Sequence, residues 1–195
     1  DDLILKIAPH KDADGFHREN IRKFLALSTL KNLLDADFPI PVTPCAIIEI
    51  LNHTLAENPG LAPKNPRVAV IGKCSIFIEP LIHYFKLQSK GKPHSFEVIS
   101  QSDPLLSQKT RASDIIIAAA GRPHILKGDM VHQGAIVIEM GVSRVKGKVV
   151  GDVDFDAVAC KTAAITPTIG GLGPVTVAIL LRNVVRNCLK IYSLQ

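Results

Sequence analysis

Arg67-Val68-Ala69-Val70-Ile71-Gly72 is the stretch on which the fold turns: four apolar residues behind an arginine, closed by a glycine. A run that is apolar at every position, not at alternate ones, is what a strand covered on both faces requires. A near-continuous apolar texture returns at residues 114–120 and 135–140, closed by Gly121 and Gly141, and residues 96–100 are a further strand candidate. Between these runs lie helical stretches. Residues 79–89 carry Pro80 near their start and turn Leu81, Ile82, Phe85 and Leu87 inward, and residues 104–111 form a shorter helix. Strand–helix–strand repetition implies parallel pairing through right-handed crossovers. The expected fold is α/β, a doubly wound Rossmann-type parallel sheet over residues 67–170.

Working outward, residues 44–66 read as a connecting helix and linker. Thr43 caps it, Pro44 suits its first position, and Ile47, Ile48, Ile50, Leu51 and Leu55 give it an apolar face. Asn58-Pro59-Gly60 ends the helix, and residues 1–43 are mixed and turn-rich. At the other end, Thr166-Pro167-Thr168-Ile169-Gly170-Gly171-Leu172-Gly173-Pro174 runs into a helix that starts at Pro174 and carries Arg182, Arg186 and Lys190 toward its C-terminus. A glycine-rich loop delivering a helix N-terminus presents backbone N–H groups to an anionic or carbonyl oxygen. The competing reading is a tight turn that needs positive φ.

The composition narrows the classes. At 195 residues, 47% hydrophobic and 21% charged, the chain has the apolar surface to fold and is not a disordered protein. No apolar run approaches the ~18 residues that cross a bilayer, and no signal peptide is visible at the start, so no membrane partner is expected. The net charge of +5 is spread along the chain, with two Tyr and no Trp for base stacking, so no nucleic-acid partner is expected. The cysteines Cys45, Cys74, Cys160 and Cys188 form no Cys-x-x-Cys pair and read as buried free thiols in a reducing compartment. The seven histidines show no metal-ligand spacing, and no metal site is expected. No Ser-His-Asp ordering or phosphate-binding G-x-x-x-x-G-K-[ST] loop occurs.

Four ordered strings carry a resemblance. Lys11-Asp12-Ala13-Asp14-Gly15-Phe16-His17 is similar to K-D-V-D-G-F-H, and residues 38–44 to an F-x-P-C-T-P stretch. Residues 72–80 are similar to G-R-S-x-I-V-G-x-P. Gly151-Asp152-Val153-Asp154-Phe155 and residues 165–176 are similar to G-D-V-D-F and I-T-P-V-P-G-G-V-G-P-M-T. In order and spacing the chain resembles the methylenetetrahydrofolate dehydrogenase/methenyltetrahydrofolate cyclohydrolase family along essentially its whole length. The resemblance implies an oxidoreductase of one-carbon metabolism. It oxidises 5,10-methylenetetrahydrofolate to the methenyl cation with NADP, NAD being the other candidate, and hydrolyses that cation to 10-formyltetrahydrofolate. The other reading is a non-catalytic, regulatory nucleotide-binding domain with a degenerate cofactor loop. Family members carry an upstream segment of about a hundred residues, the size of a domain. Its Tyr-x-x-x-Lys and Q-L-P-L-P motifs have no counterpart here. Residues 1–43 are then a remnant of a second α/β, folate-binding catalytic domain, and residues 171–195 a helix packing back toward it. No catalytic residue is expected within this chain. The resemblance also implies a homodimer. The expected compartment is the cytoplasm, or a mitochondrion or plastid if a transit peptide lies upstream.

Residue by residue, the resemblance gives cofactor contacts to Gly72, Lys73, Cys74, Ser102, Val142 and Thr176. Gly72 is the dinucleotide-turn glycine; Lys73 and Cys74 stand for arginine and serine; Ser102 aligns with the serine that meets the 2′-phosphate. Asp103 beside it is the type of residue that would instead hold ribose hydroxyls and favour NAD. Substrate contacts fall to Asp14 and to Ile169, Gly170, Gly171, Leu172 and Gly173, with Ile169 replacing a proline. Each has a plainer reading: a solvated Lys73, a helix-interior Thr176, an Asx turn at Asp14. Ile78 stands where the family has glycine; a β-branched side chain there obstructs phosphate approach and resists positive φ. Weak NADP binding is the expectation.

Overall fold

The computed structural model describes residues 3–34, 36–72, 75–89 and 95–193. In chain order the elements are α1 (Arg18–Leu25), α2 (Leu30–Leu34), α3 (Val42–Glu57), β1 (Arg67–Ile71), α4 (Ser75–Gln88), β2 (Ser95–Ile99) and α5 (Leu106–Arg111). They continue with β3 (Ile115–Ala118), β4 (Ile136–Glu139), β5 (Val142–Val145), β6 (Lys148–Gly151), α6 (Phe155–Ala159), β7 (Ala164–Ile165) and α7 (Leu172–Ser193). The chain divides into two compact units. One comprises Asp1–Ile50, Ser75–Lys92 and Pro174–Gln195; the other comprises Leu51–Cys74 and Pro93–Gly173.

The second unit holds the sheet. Its five strands run in the order β2-β1-β3-β4-β7, and every neighbouring pair is parallel. In register, Val68, Ala69, Val70 and Ile71 face Ile115, Ile116, Ile117 and Ala118, which in turn face Ile136 to Glu139. Both pleats are buried, as a non-alternating apolar sequence demands. Ala69, Ile71, Ile116, Ala118 and Val137 join Ile99, Leu126, Val153 and Val158 in one cluster, while Val68, Val70, Ile117 and Ile138 are buried on the opposite pleat. At about 1.5–3 kcal/mol for each large aliphatic side chain removed from water, these three central strands are the main apolar stabilisation of the unit. The two-stranded ribbon β5–β6 lies outside this sheet. Its turn, Lys146-Gly147, takes positive φ at both residues (49° and 79°), the backbone of a tight two-residue hairpin.

In the first unit a buried polar residue does the tying. Asn183 of α7 donates from Nδ2 to the carbonyls of Ala13 (2.8 Å) and Ile40 (2.9 Å), and its Oδ1 accepts from Ile40 N–H (3.4 Å). Arg186 adds a bond to the Ala36 carbonyl at 2.6 Å. Phe24 of α1 is fully buried edge-on to His83, whose Nε2 meets the Leu27 carbonyl at 2.8 Å.

Several expectations need correction. The helix placed at residues 79–89 begins at Ser75, so Pro80 lies inside it, where it has no N–H to donate to the Ile76 carbonyl. The last helix starts at Leu172 instead of Pro174. Of the described thiols only Cys45 is buried; Cys160 and Cys188 are exposed. The stretch Leu172–Lys190 is long and apolar enough to cross a membrane by length and composition, with mean hydropathy 1.2, contrary to the reading that no such stretch exists. Within it, however, Asn183 makes the buried hydrogen bonds described above.

Candidate functional site

Because all five strands of the sheet are parallel, the turns after them leave from one edge. Gly72 closes β1, Ser100–Ser102 follow β2, Ala119–Gly121 follow β3, Met140–Ser143 follow β4, and the Thr166–Gly173 loop follows β7. The two glycine turns singled out by sequence, at Gly72 and at residues 170–173, therefore open on the same edge. Their parent strands are three strand spacings apart, roughly 14 Å. The strand order reverses at β1: the chain first goes out to β2, then returns past β1 to β3. Such a switch point is where open α/β sheets leave a crevice for a ligand. Its walls here are Gly72 and Ala119–Gly121.

Gly72 has φ +157°, and a Cβ on it would stand 2.6 Å from the Ala119 carbonyl oxygen. Only glycine lets the two turns approach this closely. Across the crevice floor, two carboxylates that the sequence reading passed over hold the loops. Asp152, fully buried, accepts at Oδ2 from the N–H groups of Ala120 (2.6 Å) and Gly121 (2.9 Å). Glu139, 3% exposed, accepts at Oε1 from Val153 N–H (2.6 Å). Burial pushes the Glu139 carboxyl above the usual carboxylate range, and the neighbouring Asp152 charge adds to it. The remaining oxygens, Glu139 Oε2 and Asp152 Oδ1, are buried without a hydrogen-bond partner.

At the end of β2, Ser100 and Ser102 face each other through their hydroxyls at 3.0 Å, and Ser102 is exposed. Asp103 is engaged elsewhere. Its carboxylate accepts from Leu105 N–H (2.8 Å) and pairs with Lys109 (2.8 Å), whose hydrogen bond holds it below the ordinary aspartate range. Next to Gln101 and Ser107, Arg122, His124 and Lys127 stand with Asp129 around a cavity of about 570 Å³. Arg122, His124 and Lys127 were not legible as a group, being separated by uncharged residues and brought together only by the loop after β3.

Among the residues singled out by sequence, Val142 opens β5 and is 53% exposed; Ile169 is 75% exposed; Leu172 is buried. Gly170 has φ +84°, and Gly171 lies tight under the Pro167 carbonyl. Lys73 and Cys74 lie outside the described residues. In the other unit, Thr176 is half-buried in the first turns of α7, and Asp14 is exposed. The turn at Gly15 is organised by Asp12 instead, whose buried carboxylate accepts from His17 N–H (2.8 Å) and Asn20 Nδ2 (2.9 Å). The exposed Asp14 carboxylate accepts none of the bonds that build that turn, so the Asx-turn reading of Asp14 fails; Asp12 holds the turn through the longer-range bonds to His17 and Asn20. Ile78 is buried in the first turn of α4, where right-handed helical backbone asks for no positive φ. The backbone part of the objection to Ile78 falls. A hollow of about 670 Å³ in the same unit is lined by Ile4, Leu5, Phe16 and Ile21 and by Arg18 and Arg22, and holds none of the predicted ligand residues. Among the described residues no group of His, Cys, Asp or Glu could hold a metal ion.

The profile of the tetrahydrofolate dehydrogenase/cyclohydrolase NAD(P)-binding domain matches residues 41–192. The chain belongs to this family. Within the tetrahydrofolate dehydrogenase/cyclohydrolase family it is 38% identical over 185 residues to a bifunctional protein FolD of Aquifex aeolicus, covering 95% of this chain and 58% of that one. Among solved structures it is similar to the bifunctional enzyme FolD of Campylobacter jejuni, at 34% identity and TM-score 0.77, covering 96% of this chain and 61% of that one. It is also similar to the Trypanosoma brucei enzyme complexed with NADP cofactor and inhibitor, at 31% identity and TM-score 0.77, covering 98% and 62%. The chain thus spans about six-tenths of the length of the curated relatives it matches.

Proposed function

We propose that this chain supplies the NADP-binding half of a methylenetetrahydrofolate dehydrogenase with associated methenyltetrahydrofolate cyclohydrolase activity. The observation that carries the reading is the family's NAD(P)-binding profile lying over a parallel sheet whose switch point is closed by Gly72. The residues present fit a dinucleotide. Gly72 leaves room for backbone approach at the crevice, and Lys73 and Cys74 are assigned beside it. Ser102 offers an exposed hydroxyl, with Arg122 and Lys127 around the neighbouring cavity. Asp103, committed to Lys109 and Leu105 N–H, is not free to take a pair of ribose hydroxyls, which supports NADP over NAD. When bound, NADP would supply the acceptor for the hydride that leaves the methylene carbon of the folate. Val142 and Thr176 are assigned to orient the nicotinamide carboxamide, and Asp14 with residues 169–173 to hold the folate. The chain's own work is to fix the two rings in contact and exclude water. None of these residues moves a proton in the hydration step. The proposed assembly is a homodimer, and the proposed compartment is the cytoplasm, or an organelle given a leader.

Isothermal titration of the purified chain tests the reading. NADP is expected to bind measurably but weakly, and NAD more weakly still. Folded protein that gives no heat with millimolar NADP overturns it. The 195-residue chain alone is expected to be nearly inactive toward methenyltetrahydrofolate. Turnover at the rate of its longer relatives would contradict the absence of a catalytic residue.

A further inference from the structure

We propose that Asp152, backed by Glu139, is the positioning residue of the dinucleotide crevice; the inference rests on the NADP reading above. Asp152 is not among the residues assigned to either ligand. It sets the wall they meet. One oxygen, Oδ2, takes both N–H groups at the end of β3, at Ala120 and Gly121. The Ala119 carbonyl immediately before them is the atom against which Gly72 packs, and Ala119 N–H in turn donates to Ile71 O at 2.9 Å. The width of the switch-point crevice is therefore tied to one carboxylate.

The same carboxylate fixes the opposite loop. A Cβ on Gly141 would fall 1.8 Å from Asp152 Oδ2, and a Cβ on Gly151 would fall 2.0 Å from Glu139 Oε1. Each carboxylate lies over a glycine next to the other carboxylate's strand end, so the two halves interlock. Asp152 N–H donates to Gly141 O at 3.1 Å, Glu139 takes Val153 N–H, and Ser143 Oγ bonds the Gly121 carbonyl at 3.2 Å. Val142, assigned to the nicotinamide, sits between Gly141 and Ser143 and is held by this lock. One buried oxygen that accepts from two consecutive backbone N–H groups holds both at once, and any acceptor oxygen in that place can do the same. The two glycines and the aspartate are thus explained together: Gly141 and Gly151 are small because a carboxylate occupies the place of each side chain.

The test is NADP titration of the whole chain carrying Asp152→Ala, Asp152→Ser or Asp152→Asn, with amide hydrogen exchange at Ala120 and Gly121. An asparagine oxygen can accept both N–H groups, whereas alanine and serine reach neither. Asp152→Ala is expected to weaken NADP about tenfold or more and to free the two amides, while β1 amides stay protected. Asp152→Asn is expected to restore affinity to within about threefold of wild type and to restore protection. Should the alanine variant not fold, the serine variant, which keeps a polar atom in the pocket, is read in its place. Equal NADP affinity in wild type and Asp152→Ala overturns the positioning role while leaving the NADP reading intact. So does an asparagine variant as weak as alanine, since charge and not the paired bonds would then be responsible. Wild type that binds no NADP overturns the cofactor reading and this inference together.

Discussion

Substituting Gly72 by alanine probes the close approach at the switch point directly. The added Cβ would stand 2.6 Å from Ala119 O and 3.3 Å from its carbonyl carbon, where ordinary contact begins at 3.4 Å. The shortfall is 3.4 − 2.6, or 0.8 Å, and the obstacle is backbone at the end of β3, not a side chain that can swing away. That backbone is held by Ala119 N–H to Ile71 O and by Ala120 N–H to Asp152. Forcing the two apart costs about 1–3 kcal/mol as overpacking. Holding an L-residue at φ +157° adds about 1–3 kcal/mol. The sum is about 2–6 kcal/mol, a large fraction of the roughly 5–15 kcal/mol stability of an ordinary domain. Urea unfolding followed by circular dichroism at 25 °C measures it, with Gly173→Ala as the control. Gly173 has open space around its Cβ position and sits in the first turn of α7, so alanine there gains about 0.5–1 kcal/mol. A loss under about 0.5 kcal/mol for Gly72→Ala would refute the reasoning, since that is the size of an ordinary surface change.

Three further outcomes are expected. Asn183→Ala leaves the Ala13 and Ile40 carbonyls and Ile40 N–H without their buried partner and should cost about 2–4 kcal/mol in the same unfolding assay; a value near zero would mean water replaces the amide. Glu139 has its carboxyl raised above the ordinary 4.5 by burial first, opposed by the Thr168 side chain and the Val153 N–H, with Asp152 adding to the shift. The folded state then holds its proton more tightly than the unfolded one, so its contribution to stability is full below about pH 4.5 and fades as pH climbs through the raised value. Glu139→Gln should remove that decline, and parallel stability profiles for the two proteins would contradict the assignment. Finally, iodoacetamide with peptide mapping should label the exposed Cys160 and Cys188 while Cys45, buried and with its thiol pushed up by desolvation, reacts only on unfolding.

The central strands were legible because β1, β3 and β4 bury both pleats, which forces apolar residues at consecutive positions. The ribbon β5–β6 was not: its strands are mostly exposed, so Val142-Ser143-Arg144-Val145 carries no burial pattern, and Lys146-Gly147 lacks the Asn or Asp that usually marks such a turn. The two-residue β7 is too short for any periodicity. Gly72 could be placed from its position after a strand. Asp152 could not be, since Gly-Asp in isolation reads as a surface turn and only the tertiary fold shows the aspartate to be fully buried. The pair Asp12 and Asp14 posed the same difficulty, two carboxylates two residues apart of which one is inner and one outer. Asp103 was ambiguous until Lys109, six residues on, was seen to occupy it.

The unit closed by α7 is assembled from three separate stretches of chain, the last of which begins at Pro174. During synthesis the ribosome therefore delivers every strand of the sheet before it delivers Asn183, the residue that ties Ala13 to Ile40. Domains generally fold as units, N-terminal first, as the chain emerges. Here residues 1–50 wait for α7, and a ribosome stalled near residue 170 would hold every strand of the sheet without the helix that ties Ala13 to Ile40.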